Sequence, residues 1–269
     1  MKIEILNENE KEMSFVLRDS TVAFANALRR AMLNEVPTMA IDVVTFHENS
    51  SALYDEILAH RLGLIPLRFP LDVYNMKNEC KCKGKGCSRC EVKILFDSKK
   101  LRKERKNQEK LVVTAGDLEY SDKEVYPVSK DIAIVELLPG QELKFEATAV
   151  LGLGKEHAKW QASNTSYKML PVVKISSSKC NQCGACVNVC PRGVFEKKGE
   201  KVVVKQADAC ILCKACVDVC ENKAITVEGS ESDFVFTVET TSGLTPREIL
   251  KSALSSLKKR AKMLEKEAK

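Results

Sequence analysis

The chain has 269 residues, of which 44% are hydrophobic and 30% are charged, and its formal net charge is +6. This composition excludes an intrinsically disordered chain and is sufficient for two or three modest domains. No window approaches about 18 consecutive apolar residues, so we expect no membrane-spanning helix. We expect no signal peptide either, and the twelve cysteines, many in metal-type spacings, therefore indicate the reducing cytoplasm.

The first quarter of the chain predicts a pair of strands followed by alternating helices and strands. Residues 2–6 and 13–17 alternate between apolar and polar side chains, which is typical of strands. A helix is predicted over 22–35, with its apolar side formed by Val22, Ala25, Leu28, Met32 and Leu33. β-branched residues predict a strand at 40–46, and we expect a second helix to begin at Ser50 and to end near Gly63.

Four cysteines lie within eleven residues, in a segment that we call the cysteine loop (80–90). Four thiolates suit one tetrahedral ion, and structural zinc is the ion that this donor set favours. A catalytic zinc is not expected, because four thiolates leave no position for water. A degenerate site, a disulfide and an empty loop remain alternatives. The candidate metal ligands are Cys80, Cys82, Cys87 and Cys90.

The segment after the cysteine loop is predicted to be mainly β-structure. Residues 99–110 form a charged run, which we interpret as a solvated loop or a short helical turn. The glycines and the lysine of 152–161 do not have the spacing of a phosphate-binding loop. Strands are predicted at 92–97, 111–114, 132–137 and 143–149.

A run of four cysteines then occurs twice, 30 residues apart, at 180–190 and 210–220. We call these two segments the cysteine repeats. Their spacing is that of bacterial two-cluster ferredoxins, in which the fourth cysteine of each run binds the other [4Fe–4S] cluster. Zinc and disulfides are the alternatives. Zinc fits the spacing less well, and disulfides do not suit a reducing compartment. Cluster I is assigned to Cys180, Cys183, Cys186 and Cys220, and cluster II to Cys210, Cys213, Cys216 and Cys190.

The segment around these repeats departs from the ferredoxin pattern at one point. Pro191 follows the first run, but Glu221 follows the second, where a proline is usual. Because proline is not a ligand, this departure concerns the surroundings of the cluster more than its binding. A segment of about 55 residues is small for a core of its own, so we expect bound clusters to stabilise it.

The C-terminal part predicts a strand at 234–240, separate from a short strand at 224–227, and a long last helix over 246–265. Thr245 and Glu248 have the spacing of a capping box. Leucines recur every seven residues along this helix, at Leu250, Leu257 and Leu264. Such a stripe packs either within its own domain or against another subunit.

Several motifs resemble those of the alpha-type subunits of RNA polymerases. The first helix contains the sequence Asn26-Ala-Leu-Arg-Arg30, and the segments 35–44, 60–66 and 154–160 also fit this family. The cysteine loop is similar to the zinc loop of the eukaryotic third-largest polymerase II subunit. Together with the cysteine repeats, these motifs resemble the archaeal D-type members of the family over nearly the whole chain.

This resemblance implies an α+β fold in three parts. Residues 1–46 and 229–269 would form a split dimerisation domain. Residues 47–174 would form an inserted, mainly β second domain with the cysteine loop, and 175–228 an inserted ferredoxin-like domain. The three parts and their boundaries are expectations from the resemblance.

The resemblance also implies a function without catalysis by the chain itself. Such a protein pairs with subunit L, and the pair is the platform on which the large catalytic subunits assemble, joined by the small subunits N and P. DNA recognition by this chain is not expected, because no DNA-binding motif is present. The residues expected at the interfaces are Phe24, Asn26, Leu28, Arg29, Arg30, Leu250, Leu254 and Leu257.

A competing hypothesis follows from the cysteine repeats alone. Two-cluster ferredoxin modules usually transfer electrons, so the chain could be an electron-transfer subunit of an oxidoreductase. No dinucleotide fingerprint or flavin motif accompanies the repeats, however. A third hypothesis joins the two functions, because clusters in an assembly subunit could make polymerase assembly sensitive to oxygen.

Overall fold

The computed structural model describes residues 1–105 and 109–268, and within them the chain folds as the predicted α+β structure. None of the helices in these ranges is long and apolar enough to cross a membrane. The helices are α1 (Val22–Asn34), α2 (Asp55–Gly63), α3 (Ser98–Glu104), α4 (Ala185–Val189), α5 (Ala215–Asp218) and α6 (Pro246–Glu267).

The strands follow the predicted order, with several short additions. The first seven are β1 (Lys2–Glu8), β2 (Glu12–Arg18), β3 (Thr38–Asn49), β4 (Leu67–Arg68), β5 (Val92–Asp97), β6 (Leu111–Thr114) and β7 (Glu119–Tyr120). The others are β8 (Tyr126–Pro127), β9 (Ala133–Leu137), β10 (Leu143–Gly152), β11 (Ser163–Ile175), β12 (Phe195–Lys198), β13 (Lys201–Val204) and β14 (Ile225–Thr240).

The chain divides into two compact units, each assembled from separate segments. The first unit comprises Met1–Asn9, Met13–Arg29 and Thr165–Val238. The second comprises Glu10–Glu12, Arg30–Asn164 and the chain from Glu239 onward. The three-part division expected from the resemblance follows other boundaries, and it stays a prediction.

The first unit is built on a four-stranded sheet with the strand order β1-β2-β14-β11. Its core contains a stack of aromatic rings, because the ring centroids of Phe15 and Phe236 are 4.9 Å apart and the planes nearly parallel. Tyr167 adds a third ring, 5.3 Å from Phe236. The outer strand β1 is exposed along its whole length, so the buried side of this sheet begins at β2.

The strand β14 corrects the prediction of two separate strands at 224–227 and 234–240. It is one strand of 16 residues, and its polar middle concealed that continuity in the sequence. Gly229 lies in this middle, and a Cβ atom there would be 2.8 Å from the side chain of Met169 on β11. The missing side chain therefore permits close packing of the two strands, which is a usual role of glycine within a sheet.

The second unit contains a four-stranded sheet with the order β3-β10-β5-β7. The strand β10 is central, and it pairs antiparallel with both β3 and β5. Phe145 of β10 lies opposite Phe46 and Phe96 of the neighbouring strands, with ring centroids 5.9 and 5.5 Å away. Such cross-strand aromatic pairs stabilise one face of a sheet. Two short strand pairs, β4–β8 and β6–β9, complete the β-structure of this unit.

The helix α2 begins five residues later than predicted, at Asp55 instead of Ser50. The side chain of Asn49 explains the delay, because its oxygen accepts from the amide of Ser51 and its nitrogen donates to the carbonyl of Leu53. Asn and Ser side chains that bond nearby backbone groups compete with helix formation in this way. The prediction for α1 was closer, although Val22 is 48% exposed rather than part of the buried side.

The charged run after the cysteine loop is partly helical. Asp97 caps α3, since its side chain accepts from the amide of Lys99 at 2.9 Å. The helix ends at Glu104, and residues 106–108 of the run lie outside the described residues.

The last helix, α6, has the predicted capping box. Thr245 accepts from the amide of Glu248, and Glu248 accepts from the amide of Thr245 at 2.8 Å. Arg68 also donates two hydrogen bonds to the carboxylate of Glu248, of 2.5 and 2.7 Å. This bidentate pair joins the start of α6 to β4 within the second unit.

We expect the Arg68–Glu248 pair to make stability sensitive to acid. The hydrogen bonds from Arg68 hold the pKa of Glu248 at about 2, against an ordinary value of 4.5. Because the pKa is lower in the folded state, the pair's contribution is complete above about pH 4.5 and is lost as the pH falls toward 2. Glu248→Gln should lower the free energy of unfolding by about 1–2 kcal/mol at pH 7, allowing for solvent screening.

Denaturant unfolding at a series of pH values measures this effect. Glu248→Gln should reduce the loss of stability between about pH 4.5 and pH 2. The exposed Glu239 supplies a control, Glu239→Gln, which should leave the curve nearly unchanged. Parallel curves for the wild type and Glu248→Gln would contradict the prediction.

Candidate metal centres and subunit interface

The four cysteines of the cysteine loop converge on one point. The Sγ atoms of Cys80 and Cys87 are 3.6 Å apart, those of Cys82 and Cys90 are 3.5 Å apart, and all four lie within 4.8 Å of one another. Four sulfurs around a tetrahedral zinc with bonds of about 2.3 Å are separated by about 3.8 Å. A disulfide requires about 2.05 Å. The loop therefore has the geometry of a metal site and contains no disulfide.

Two tight turns bring the sulfurs together. The amide of Lys83 donates to the carbonyl of Cys80, and the amide of Cys90 donates to the carbonyl of Cys87, both at 2.9 Å. Gly86 lies between the two turns with φ at +89°, and a Cβ atom there would be 2.4 Å from the carboxylate of Glu91. The positive φ favours glycine, since other residues adopt this conformation only with strain, and a larger residue would also displace the carboxylate of Glu91.

The thiols of this loop affect one another strongly. Burial raises the pKa of Cys90 to about 12. Burial also acts to raise the pKa of Cys82, but hydrogen bonds from Cys80 and Cys90 lower it to about 6. The thiolate form is thus favoured at neutral pH for Cys82 and disfavoured for Cys90. A bound cation would favour the thiolate form of all four, as thiolates are the form that binds metal.

The two cysteine repeats have nearly the same backbone structure. Gln182 and Leu212 occupy equivalent positions, 30 residues apart, and both have positive φ, at 61° and 59°. Gly184 and Lys214 are also equivalent and left-handed, and each precedes a short helix, α4 or α5. The internal repeat seen in the sequence is therefore a repeat of the fold as well.

Backbone amides point at the sulfurs of the cysteines that end each repeat. The amide of Val194 donates to Sγ of Cys190 at 3.4 Å, and the equivalent amide of Ala224 donates to Sγ of Cys220 at 3.2 Å. The amide of Leu212 also donates to Sγ of Cys210, at 3.4 Å. Hydrogen bonds to the ligand sulfurs are one of the factors that set the reduction potential of an iron–sulfur cluster.

A pocket brings together cysteines from both repeats. Cys190 of the first repeat lines it together with Cys210, Cys213 and Cys216 of the second. These four form the ligand set predicted for cluster II, and we call them site II. Burial, followed by the nearby thiol of Cys210, raises the pKa of Cys216 to about 11. The arrangement supports the predicted exchange of the fourth ligand, and the ligand set stays a prediction.

The ligands predicted for cluster I are Cys180, Cys183, Cys186 and Cys220, which we call site I. Burial raises the pKa of Cys186, and the nearby thiols of Cys180 and Cys183 act in the same direction. Cys220 packs against the same small core as Cys186. The buried members of this small core are Cys186, Val194, Phe195, Val202, Cys210, Cys216, Ile225 and Val227. That bound clusters stabilise it stays a prediction.

One basic side chain near site II was not found by sequence reasoning. Lys168 of β11 donates to the carbonyls of Asp208 and Cys210, both at 2.7 Å. Burial lowers its pKa. No motif in the sequence connects Lys168 with a cysteine 42 residues away, so only the fold could identify it.

The residues predicted for subunit interfaces differ in exposure. Leu28 is fully buried within the chain and Leu250 is 8% exposed, whereas Phe24, Leu254 and Leu257 are half-buried. Arg29 donates to the side chain of Asn26, and Arg30 is exposed. Among the described residues, neither arginine forms an ion pair with a carboxylate.

The last helix has two distinct halves. Its first half is held within the second unit, where Ile249 and Ala253 are fully buried. From Lys258 to Ala268 every residue is exposed, and these include Met263 at 53% and Leu264 at 68%. Glu35 fixes the junction between the halves, because it accepts from Ser256 and pairs with Arg260. The apolar stripe of α6 thus continues from the buried first half into the exposed second half of the helix.

The segment 154–160 has a structural role in the second unit. Gly154 lies against the end of α1, where a Cβ atom would be 2.6 Å from the carbonyl oxygen of Leu33. Lys159 pairs with Asp42 at 2.7 Å and its ammonium lies 4.3 Å from the ring centre of Trp160. These contacts fix the end of α1 and the start of β3, so the motif needs no catalytic role.

Comparison with known proteins gives one family over most of the chain. Residues 14–261 match the family model described as RNA polymerase Rpb3/Rpb11 dimerisation domain. The DNA-directed RNA polymerase subunit Rpo3 of Archaeoglobus fulgidus is 44% identical, over 98% of this chain and 97% of the relative. The Rpo3 subunits of Methanosphaera stadtmanae and Pyrococcus horikoshii are 39% and 38% identical, over 97% of this chain in both cases.

These comparisons confirm the resemblance found in the sequence, which rested on the first helix, the cysteine loop and the cysteine repeats. The similarity extends over nearly the full length of the chain and of each relative. The chain therefore belongs to the RNA polymerase Rpb3/Rpb11 dimerisation-domain family and, within it, to the archaeal Rpo3 subunits.

Proposed function

We propose that the chain is a non-catalytic assembly subunit of a cytoplasmic DNA-directed RNA polymerase. It forms a heterodimer with subunit L, and the pair is the platform for the large catalytic subunits, with the small subunits N and P joining it. The observation that carries this proposal is the similarity to Rpo3 subunits over 98% of the chain. Catalysis belongs to the polymerase complex and not to this chain.

The second half of α6 supplies the surface for subunit L. Its apolar side chains Met263 and Leu264 are exposed, and Leu257 continues the same stripe toward the buried half. An amphipathic helix with an uncovered apolar side gains free energy when a partner helix removes that side from water. The exposed Arg30 and the Asn26–Arg29 pair on α1 are further contact residues, toward subunit L or the large subunits.

We expect Leu264→Asp to weaken the heterodimer at least about tenfold, because it places a charge in a desolvated interface. Co-purification of the tagged chain with subunit L, followed by a binding titration, measures the effect. The variant should fold normally, since Leu264 is 68% exposed.

Lys262→Asp is the matched control for this experiment. Lys262 is also exposed, and it lies about 200° around the helix from Leu264, away from the leucine stripe. Equal effects of the two substitutions would contradict an interface on that stripe. Recovery of the wild-type chain with redox enzymes and without polymerase subunits would contradict the assembly function itself.

The cofactors that we propose are two [4Fe–4S] clusters and one structural zinc ion. Site I and site II would hold the clusters, and the cysteine loop would hold the zinc. The sulfur geometry of the loop and the hydrogen-bonded cysteines of the repeats fit these groups. When bound, the clusters link the two repeats covalently, and the chain's own residues bury them and donate hydrogen bonds to their thiolates.

Electron transfer for an oxidoreductase is the alternative, and the family membership does not favour it. Redox sensing is compatible with assembly, since loss or oxidation of a cluster would remove support from a domain with a very small core. We retain it as an additional function of the same sites.

A further inference from the structure

The start of the second cysteine repeat is bonded to the sheet of the first unit by a lysine side chain. The ammonium of Lys168, on β11, donates to the carbonyls of Asp208 and Cys210, both at 2.7 Å. An ammonium has three N–H donors, so these two bonds use most of its capacity. Because Cys210 is a ligand residue of site II, the strand and the site are joined through this side chain.

Lys168 has a fixed origin in the sheet. Both of its neighbours along β11 pack against β14, since the ring of Tyr167 lies 5.3 Å from that of Phe236 and Met169 lies against Gly229. Successive side chains of a strand point to opposite faces, so Lys168 leaves the sheet on the face opposite to these two contacts. The position from which its ammonium reaches the second repeat is therefore set by the packing of the sheet.

The backbone and the sulfur of Cys210 are held by further bonds. Its amide donates to the carbonyl of Ala207 at 3.0 Å, and its Sγ accepts from the amide of Leu212 at 3.4 Å. A short helical turn leaves its last carbonyls without partners inside the turn, and Lys168 supplies the partner for two of them. The backbone of a ligand residue decides where its sulfur points, so these bonds also fix one ligand position of site II.

The first repeat is attached to the sheet through its backbone. It follows β11 directly, and the amide of Cys180 donates to the carbonyl of Ser176 at 3.0 Å. The amide of Ser176 donates in turn to the carbonyl of Ala224, next to β14, at 2.8 Å. The hairpin of β12 and β13 separates β11 from the start of the second repeat along the chain. A side-chain bond to β11 therefore matters more for site II than for site I.

We propose that Lys168 is a positioning residue for site II, which holds the backbone of Cys210 against β11 and thereby slows the loss of the cluster from this site. The inference rests on the [4Fe–4S] cluster that the proposed function assigns to site II. Groups that orient a metal ligand without touching the metal typically change metal affinity by about 10- to 100-fold. Removal of the Lys168 ammonium should therefore affect the iron of site II and spare that of site I.

The loss of iron to a chelator measures this effect. The full chain is reconstituted anaerobically with iron and sulfide, and an excess of an iron(II) chelator then removes the iron. In Lys168→Met, half of the iron should leave about tenfold faster than in the wild type, and the other half should leave at the wild-type rate. Lys168→Arg retains N–H donors for the two carbonyls and should restore most of the wild-type behaviour.

Two backgrounds assign the change to one site. Cys213→Ser removes an exposed ligand of site II and leaves site I, and Cys183→Ser does the reverse. Lys168→Met should accelerate the loss of iron in the Cys183→Ser background only. Lys174→Met changes an exposed lysine of the same strand and should alter neither site. Equal acceleration in both backgrounds, or none in Lys168→Met, would overturn the inference.

The iron content of Lys168→Met before chelation is decisive where the variant loses a cluster outright. A fall from about eight to about four iron atoms per chain, with site I still filled, would support the inference. Loss of iron from both sites would show general unfolding and would overturn it.

Hydrogen exchange of the reconstituted chain gives a readout that does not depend on the release of iron. The amides of Ala209 and Cys210 bond within the turn that Lys168 holds, and Lys168→Met should raise their exchange rates about tenfold. The equivalent amide of Cys180 should keep its rate, and unchanged exchange at Cys210 would contradict the proposal. If the wild type bound no iron and sulfide, the cofactor proposal would fail, whereas faster exchange at Cys210 in Lys168→Met would still support positioning by Lys168.

Discussion

Cys90→Ser should abolish stoichiometric zinc binding by the cysteine loop. Cys90 is 1% exposed, and its sulfur lies 3.5 Å from that of Cys82 and 3.7 Å from that of Cys87. A serine hydroxyl does not ionise at neutral pH and cannot replace a thiolate ligand. Because apparent binding of structural zinc contributes about 10 kcal/mol or more in small domains, loss of one ligand should also unfold the loop locally.

The measurement is the zinc content of the full chain after dialysis against a weak chelator. We expect about one zinc ion per wild-type chain in the loop and less than about 0.1 in the variant. Ser88→Ala lies in the same loop, is exposed and removes no thiolate, so it should retain the metal. Stoichiometric zinc in Cys90→Ser would contradict the four-cysteine site.

Phe236→Ala should lower the free energy of unfolding by about 3–5 kcal/mol, as large-to-small changes in a packed core generally do. The ring of Phe236 is completely buried, and it stacks between Phe15 and Tyr167, which are 4.9 and 5.3 Å away. Alanine would leave a cavity in the only aromatic stack that joins β2, β14 and β11 among the described residues.

Denaturant unfolding followed by circular dichroism gives this quantity. Ile5→Ala on the exposed strand β1 removes a side chain that is 43% accessible, and it should cost less than about 1 kcal/mol. A loss below about 1 kcal/mol for Phe236→Ala would show that the stack is not the centre of the first unit's stability.

The features that could be predicted best from the sequence are those that depend on residues close together along the chain. The capping box of α6 requires only Thr245 and Glu248, three residues apart, and it forms as predicted. The cysteine loop likewise brings its sulfurs together through turns that begin and end within eleven residues. Periodicity located α1 and most of the strands, because local side-chain patterns reflect which face is buried.

Contacts between distant residues could not be predicted. Arg68 and Glu248 are 180 residues apart, and neither motif in which they lie requires the other. Lys168 reaches site II from β11 because the sheet places it there. The continuity of β14 was hidden because its middle residues are polar, and strand pairing with β11 outweighs that local preference.

The ends of the segment that carries the cysteine repeats lie side by side. The amide of Ser176, just after β11, donates to the carbonyl of Ala224, just before β14, at 2.8 Å. A tight turn could therefore replace everything between these residues without moving the sheet, since neighbouring strand ends are readily joined by a short hairpin loop. In evolutionary terms the segment can be gained or lost in one step, and a lineage could discard the cysteine repeats while it keeps the sheet that carries them.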